Sequence, residues 1–224
     1  MAARVGLVKT SERPRLRWHG ALLAGAIIAL VVSALLVQGK HVSSIERGLF
    51  RIANDTPSFF ETPTWQVMQL GNGIMILIAP LVAIVCRRYR LAIILAAASG
   101  AAYLLARVAK DIVSRPRPAG LLHNVHLRPG STAAGNGYPS GHAAVAFALA
   151  TVLCLMIGPK LRSHAVALIL AGAGIVGFAR VYVGAHFPLD VVGGAALGII
   201  VGIAAVTASH FFETPEKRNR RLWQ

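Results

Sequence analysis

The 224-residue chain is 55% hydrophobic and only 14% charged, a balance that excludes an ordinary soluble domain and points to a membrane protein. Its formal charge of +15 is distributed in a way that suits membrane topology and lipid phosphate, and argues against a nucleic-acid partner. Cys86 and Cys154 are too few for a disulfide framework and, lying inside apolar runs, are expected to be buried as small hydrophobes.

In chain order, apolar runs at residues 21–37, 67–86, 91–106, 143–158, 164–179 and 191–209 predict six transmembrane helices, each near the roughly 20 residues that cross the hydrocarbon. The expected fold is all-α: one six-helix bundle over residues 21–209, between a basic arm at 1–20 and a basic tail at 210–224. The third and fifth runs are short and should extend into their polar flanks. The first run follows a basic arm, as a signal peptide does, but no small-residue cleavage site leading into a soluble domain follows "ALLVQGK". It is read as a permanent span.

Charge sets the expected orientation. Arg4, Lys9, Arg13, Arg15, Arg17, Arg87, Arg88, Arg90, Lys160, Arg162, Lys217, Arg218, Arg220 and Arg221, 14 of the 23 basic residues, fall on one side if six spans alternate. The positive-inside rule then puts both termini in the cytoplasm, and the compact frame suggests a bacterial inner (plasma) membrane. On the opposite face, Lys40, Arg47 and Arg51 lie in the first connection, while Arg107, Lys110, Arg115, Arg117, Arg128 and Arg180 gather around three polar motifs. Topology disfavours positive charge there, so another use is implied.

The connection at 38–66 carries Ile45, Leu49 and Ile52 at helical spacing with Glu46, Arg47 and Arg51 elsewhere, the pattern of an amphipathic helix lying in the interface. Phe59, Phe60 and Trp65 should form an aromatic belt beside the second span, with Trp18 and Phe211 on the other side. In the sixth run Gly194, Gly198 and Gly202 recur at four-residue steps and let a helix approach closely, within the bundle or across a dimer. The oligomer is left open.

The first polar motif is "KDIVSRPRP", where Lys110 supplies a mobile point charge, Arg117 a planar fork for phosphate oxygens, and Pro116 and Pro118 stiffen the chain. The second is "YPSGH" at 138–142. Ser140 is placed to cap the following helix, Gly141 lets backbone approach a ligand, and His142 stands at an anion-binding helix start with a proton to give. The third is "RVYVGAHFPLD", where Asp190 lies four residues after His186, close enough to hold one imidazole nitrogen and aim the other at a substrate. Arg180 opens this stretch. If the spans alternate, all three motifs reach one extracytoplasmic face.

Taken together, Lys110 with Arg117 and Pro118, "PSGH" at 139–142, and Arg180, His186 and Asp190 in their spacing resemble the signature of the type-2 phosphatidic acid phosphatase family, the membrane lipid phosphatases related to vanadium haloperoxidases. A serine usually precedes the arginine of the third motif, where this chain has Ala179. The resemblance implies that His186 attacks phosphorus to form a phosphohistidine, that Asp190 orients it, and that His142 protonates the leaving oxygen and later activates water. It further implies that Lys110, Arg117, Ser140, Gly141 and Arg180 hold the phosphate oxygens, with no metal or other cofactor. The residues independently favour that last point, because Asp111 and Asp190 are too few for a magnesium or two-metal site.

The expected substrate is a membrane-embedded lipid phosphate or diphosphate, first a polyprenyl diphosphate of the undecaprenyl type, then phosphatidate or phosphatidylglycerol phosphate. A non-catalytic transporter or lipid-binding protein would need the cations but not His142, His186 and Asp190 together. A vanadate-dependent peroxidase would share the motifs, but those relatives are soluble. His123, His126 and Arg128 are read as shaping a mobile lid or contacting a second phosphate.

Overall fold

The computed structural model describes residues 13–157 and 162–211. Arg4, Lys9, Lys160, Lys217, Arg218, Arg220 and Arg221, used above for orientation, lie outside the described residues. Among those described, eight α-helices and no named strands occur: α1 (Arg13–Leu36), α2 (Ser44–Asn54), α3 (Glu61–Met68), α4 (Met75–Val85), α5 (Tyr89–Val113), α6 (Gly141–Met156), α7 (Arg162–Tyr182) and α8 (Pro188–Phe211). Four helices, at His19–Leu36, Tyr89–Val113, Ser163–Tyr182 and Pro188–Phe211, are long and apolar enough to cross a membrane. As expected, the third and fifth runs extend into their flanks, giving helices of 25 and 21 residues.

Two expected spans differ. The run at 67–86 is not one helix, because Ser58–Gly71 and Met75–Val85 meet at a 73° bend. The cause is local. Asn72 takes an extended backbone and its side chain accepts from the Ile74 amide at 3.3 Å, an Asx turn that competes with the helix. Packing requires the break as well, since a Cβ on Gly71 would stand 2.5 Å from the His142 carbonyl oxygen. The fourth span, α6, has 16 residues, short of a full crossing.

At the centre, α8 lies directly against α6. A Cβ on Gly194 or Gly198 would strike the carbonyl oxygens of Ser140 or Ala144, and one on Gly202 would lie 2.7 Å from Thr151 Cβ. The glycine row therefore packs inside the bundle. Buried Ala98, Ala102 and Ala106 of α5 join Ala144, Val145 and Ala148 of α6 in the main apolar core. Tyr138, 2% exposed, fastens α1 to the site by pairing its hydroxyl with Ser33 Oγ at 2.9 Å and donating to the Leu30 carbonyl at 3.2 Å.

The amphipathic reading of 38–66 gives α2, capped by Ser43 Oγ accepting from the Glu46 amide. Ile45, Leu49 and Ile52 are exposed as a stripe, while Phe50 and Ala53 are buried on the inner face. Glu46, off the apolar stripe as the spacing has it, is buried at 4% exposure. Cys86 is likewise exposed rather than buried, because it caps α4 just beyond its last residue.

Candidate active site

The three motifs come together because C-terminal ends of two helices and N-terminal ends of two others meet at one cavity. Lys110 lies in the last turn of α5, Gly141 begins α6, Arg180 lies in the last turn of α7, and Asp190 lies in the first turn of α8. Ser114 closes α5 in a left-handed conformation (φ 49°), with its amide on the Lys110 carbonyl, and the chain turns through Arg115 and Arg117 back across the helix ends. Lys110, Arg117, Gly141, His142, Arg180 and His186 line one cavity of about 320 Å³.

The cations are braced from behind. Lys110 Nζ donates to the carbonyls of Asn136 and Gly137, both at 2.9 Å, which leaves one of its three donors. Arg180 Nη1 contacts Met68 Sδ at 2.8 Å and donates to the Gly130 carbonyl at 3.0 Å. Arg117 Nη1 reaches the Ala185 carbonyl at 3.4 Å. The Nε groups of Arg117 and Arg180 are buried donors without a partner among the described residues, a state that costs about 1–3 kcal/mol per group unless a ligand supplies an acceptor. Burial holds the Arg117 guanidinium below its ordinary pKa.

Ser140 and Asp190 stand behind the cavity wall. Ser140 is fully buried; its Oγ accepts from the Ala143 amide at 3.5 Å and its amide donates to the Asp190 carbonyl at 2.8 Å. Its role here is to cap α6 and tie it to α8. His186 is 2% exposed, with Nδ1 3.5 Å from Asp190 Oδ2. That is long for a hydrogen bond but close enough for the carboxylate to favour a charged ring. Burial, then the charges of Arg180, Lys110 and Arg117, push the His186 pKa well below the usual imidazole value. The ring is therefore neutral at neutral pH, and it lines the cavity.

Sequence reasoning missed what holds Asp190. Arg115, fully buried, donates from Nη1 to Asp190 Oδ1 at 2.8 Å and to Glu46 Oε1 at 3.1 Å, and from Nη2 to Glu46 Oε2 at 2.6 Å. Glu46 Oε1 also accepts from the Leu189 amide at 3.2 Å, and Asp190 Oδ2 from the Phe187 amide at 2.9 Å. The Arg115 guanidinium lies 4.6 Å from the Phe187 ring centroid. Burial alone would depress Arg115, yet Glu46 and Asp190 outweigh it and hold the guanidinium above its ordinary pKa. Two carboxylates on one cation leave the cluster net negative, so Arg115 can fix Asp190 without cancelling its charge toward His186.

Arg128 does not reach for a ligand. Its guanidinium donates to the carbonyls of Asn54, Tyr182 and Thr56 at 2.7–2.9 Å and lies 4.1 Å from the Tyr182 ring centroid. Arg51 donates to the His123 and Asn124 carbonyls, and Asn54 Oδ1 accepts from the His126 amide. The segment expected as a mobile lid is thus clamped to α2 and α7. The exposed His126 ring pairs with Asp55 at 3.7 Å. Ala179, where a serine was expected, is buried in an apolar cluster with Met68, Tyr182 and Val183.

Residues 91–213 match the PAP2 superfamily. The chain belongs to that superfamily. Among PAP2-related proteins it is 46% identical over 97 residues to a lipid A 1-phosphatase of Porphyromonas gingivalis, a match covering 43% of this chain and 21% of that protein. It is 35% identical over 106 residues to an undecaprenyl-diphosphatase of Sulfolobus acidocaldarius (47% and 48% covered) and to phosphatidylglycerophosphatase B of Bacillus subtilis (44% and 48%). The chain thus spans about half or less of the length of these relatives. Among solved structures it resembles Aquifex aeolicus LpxE (TM-score 0.67, 29% identity, 76% of this chain and 99% of that one). It shares the fold of the Bacillus subtilis PAP2-type phosphatidylglycerolphosphate phosphatase (TM-score 0.71, 20% identity, 86% and 98%). Glu46 lies upstream of the superfamily match.

Proposed function

We propose that this PAP2 protein is an integral-membrane lipid phosphatase that hydrolyses a lipid phosphate or diphosphate through a phosphohistidine. One observation carries the reading: two histidines and three braced cations face a single cavity, and one of the histidines is neutral and backed by a buried carboxylate. Phosphate fits this donor set. The remaining Lys110 donor, the open edges of Arg117 and Arg180, and the Gly141 amide at the start of α6 bind the three peripheral oxygens. Ser140 holds that helix start in place.

His186 Nε2 attacks phosphorus and the ring becomes cationic, which Asp190 stabilises. Burial and the neighbouring cations hold the His142 pKa down to about 3; a bound phosphate anion offsets those charges, so that His142 takes a proton with the substrate, gives it to the departing oxygen and then takes one from the attacking water. The fixed cations gain most where charge gathers on the peripheral oxygens in the transition state. The chemistry is read as metal-free, because the charged side chains lining the cavity, Arg107, Lys110, Arg117 and Arg180, are all cations that would repel a divalent ion, and no carboxylate among the described residues lines it to offset them.

The leading substrate is a polyprenyl diphosphate of the undecaprenyl type, supported by the Sulfolobus relative's name. Phosphatidate or phosphatidylglycerol phosphate is the second reading, supported by the Bacillus relative. The site is read as extracytoplasmic, in a bacterial plasma membrane, with the arm at 1–20 and the tail at 210–224 cytoplasmic, on the charge asymmetry of the loops.

The test is phosphate release by purified protein in detergent with EDTA, on each of these lipids, beside His186→Ala. Release that survives EDTA and is lost in the variant is expected. Release equal in the variant refutes the histidine mechanism, and none from any lipid favours an anion-binding transporter.

A further inference from the structure

The cations that face the cavity are not equivalent. Lys110, Arg117 and Arg180 are each tied to backbone carbonyls at the back of the site. Arg107 lines the same cavity with Tyr103 and Thr132, is exposed, and among the described residues makes one polar contact, from Nη1 to the Tyr103 hydroxyl at 3.5 Å. Its Cζ lies 6.0 Å from the Tyr103 ring centroid, and among the described residues it has no ion-pair partner. It stands one turn before Lys110 on α5, a spacing of about 5–6 Å between Cβ atoms. A single phosphate is already served by the three braced cations, so Arg107 is an exposed fork held by one tyrosine, with most of its five donors uncommitted among the described residues.

We infer that Arg107, with Tyr103 and Thr132, forms a second anion subsite beside the phosphate cradle, and that the headgroup it accepts is a lipid diphosphate. The inference rests on the phosphatase reading and assigns the residue that distinguishes diphosphate from monoester. The terminal phosphorus sits among Lys110, Arg117 and Arg180, and the phosphate joined to the lipid sits against Arg107. When His186 Nε2 bonds to the terminal phosphorus, the bond to the bridging oxygen breaks and its electron pair stays on that oxygen, which takes the His142 proton. The leaving group is then a lipid monophosphate, whose negative charge Arg107 holds. Water attacks the phosphohistidine and gives its proton to His142, and inorganic phosphate is released. A prenyl monophosphate or a phosphatidate leaves as a neutral lipid alcohol and offers Arg107 nothing.

The discriminating variant is Arg107→Gln, which shortens an exposed side chain and leaves the braced cations in place. Catalytic efficiency is compared on prenyl diphosphate, on the prenyl monophosphate with the same tail, and on phosphatidylglycerol phosphate, whose second phosphate lies a glycerol away. The loss on the diphosphate is expected to exceed the loss on the monophosphate by at least about tenfold, the value of one charge-assisted contact. Equal losses on both, or no loss, overturn the subsite. A loss confined to phosphatidylglycerol phosphate overturns the assignment to an adjoining phosphate.

Binding of inorganic diphosphate and inorganic phosphate to the detergent-solubilised protein reads the subsite without turnover. Arg107→Gln should weaken diphosphate about tenfold more than phosphate, and an unchanged ratio overturns the inference. Wild-type protein that binds diphosphate through Arg107 but hydrolyses no lipid would refute the phosphatase reading and leave the subsite standing.

Discussion

Glu46→Gln tests whether the buried network behind His186 serves the chemistry. The glutamate accepts from Arg115 Nη2 at 2.6 Å, Arg115 Nη1 at 3.1 Å and the Leu189 amide at 3.2 Å. Glutamine keeps the volume but cannot satisfy all three: whichever way the amide turns, its NH2 meets a donor, either Nη2 or the pair formed by Nη1 and the Leu189 amide. At least one charge-assisted bond is lost, worth about 1.5–3 kcal/mol. Arg115, no longer neutralised by Glu46, then draws on Asp190 alone and weakens that carboxylate's hold on a cationic His186. If that loss falls on the transition state, kcat drops roughly tenfold to a hundredfold. KM should not change, because Glu46 does not line the cavity. Steady-state phosphate release gives the split, and thermal unfolding in detergent checks that the variant is folded. Asp190→Asn is the reference and should cost more. In the double variant the two losses should not add, because both act through Arg115. A folded Glu46→Gln protein with wild-type kcat, or with only KM altered, would refute the positioning role.

Three further outcomes follow from the packing and charge. His186 is held below its ordinary pKa in the folded protein, so below about pH 6.5 the unfolded chain binds a proton that the folded one does not. His186 therefore lowers stability as pH falls below the ordinary imidazole range, by up to about 1.4 kcal/mol per pH unit. His186→Asn should lose that part of the slope in thermal unfolding across pH 5–7, and an identical slope would contradict it. Tyr138→Phe removes the hydroxyl's contacts with Ser33 and Leu30 and should cost about 1 kcal/mol, read as a lower unfolding temperature that Ser33→Ala does not lower further by an equal amount. Gly198→Leu forces a side chain into the Ala144 carbonyl and should cost about 1–3 kcal/mol or prevent folding; a wild-type unfolding temperature would show that α6 and α8 can separate.

Much of the site was legible because its chemistry needs particular side chains at helix ends, and those ends carry their own signals. Pro116 and Pro118 mark the end of α5, Ser140 caps α6, and Pro188 opens α8. Hydropathy then put those ends on one face. The Arg115–Glu46 pair was hidden because its partners lie 69 residues apart and because α2 is amphipathic in an unusual sense. Its exposed stripe of Ile45, Leu49 and Ile52 is apolar, and its inner face carries Glu46 and Asn54 beside Phe50 and Ala53. Period alone says that such a helix has two faces. It does not say which one a bilayer takes and which a buried arginine takes.

The break in the second apolar run was hidden for a different reason, since averaged hydropathy is blind to the backbone, though "GNG" at 71–73 was a visible breaker. Its position ties it to the site. Irregular backbone at membrane depth is tolerated where protein or a water-lined cavity satisfies its polar groups, and Gly71 and Gly73 line the same cavity as His142. A straight helix through this point would need side chains where Gly71 lies against the His142 carbonyl and Val176, and it would push the start of α6 away from the cations it faces. The bend and the motifs are therefore parts of one arrangement. The glycines let α3 and α4 fold around the end of α6, and the space left at the bend opens on two histidines and four cations.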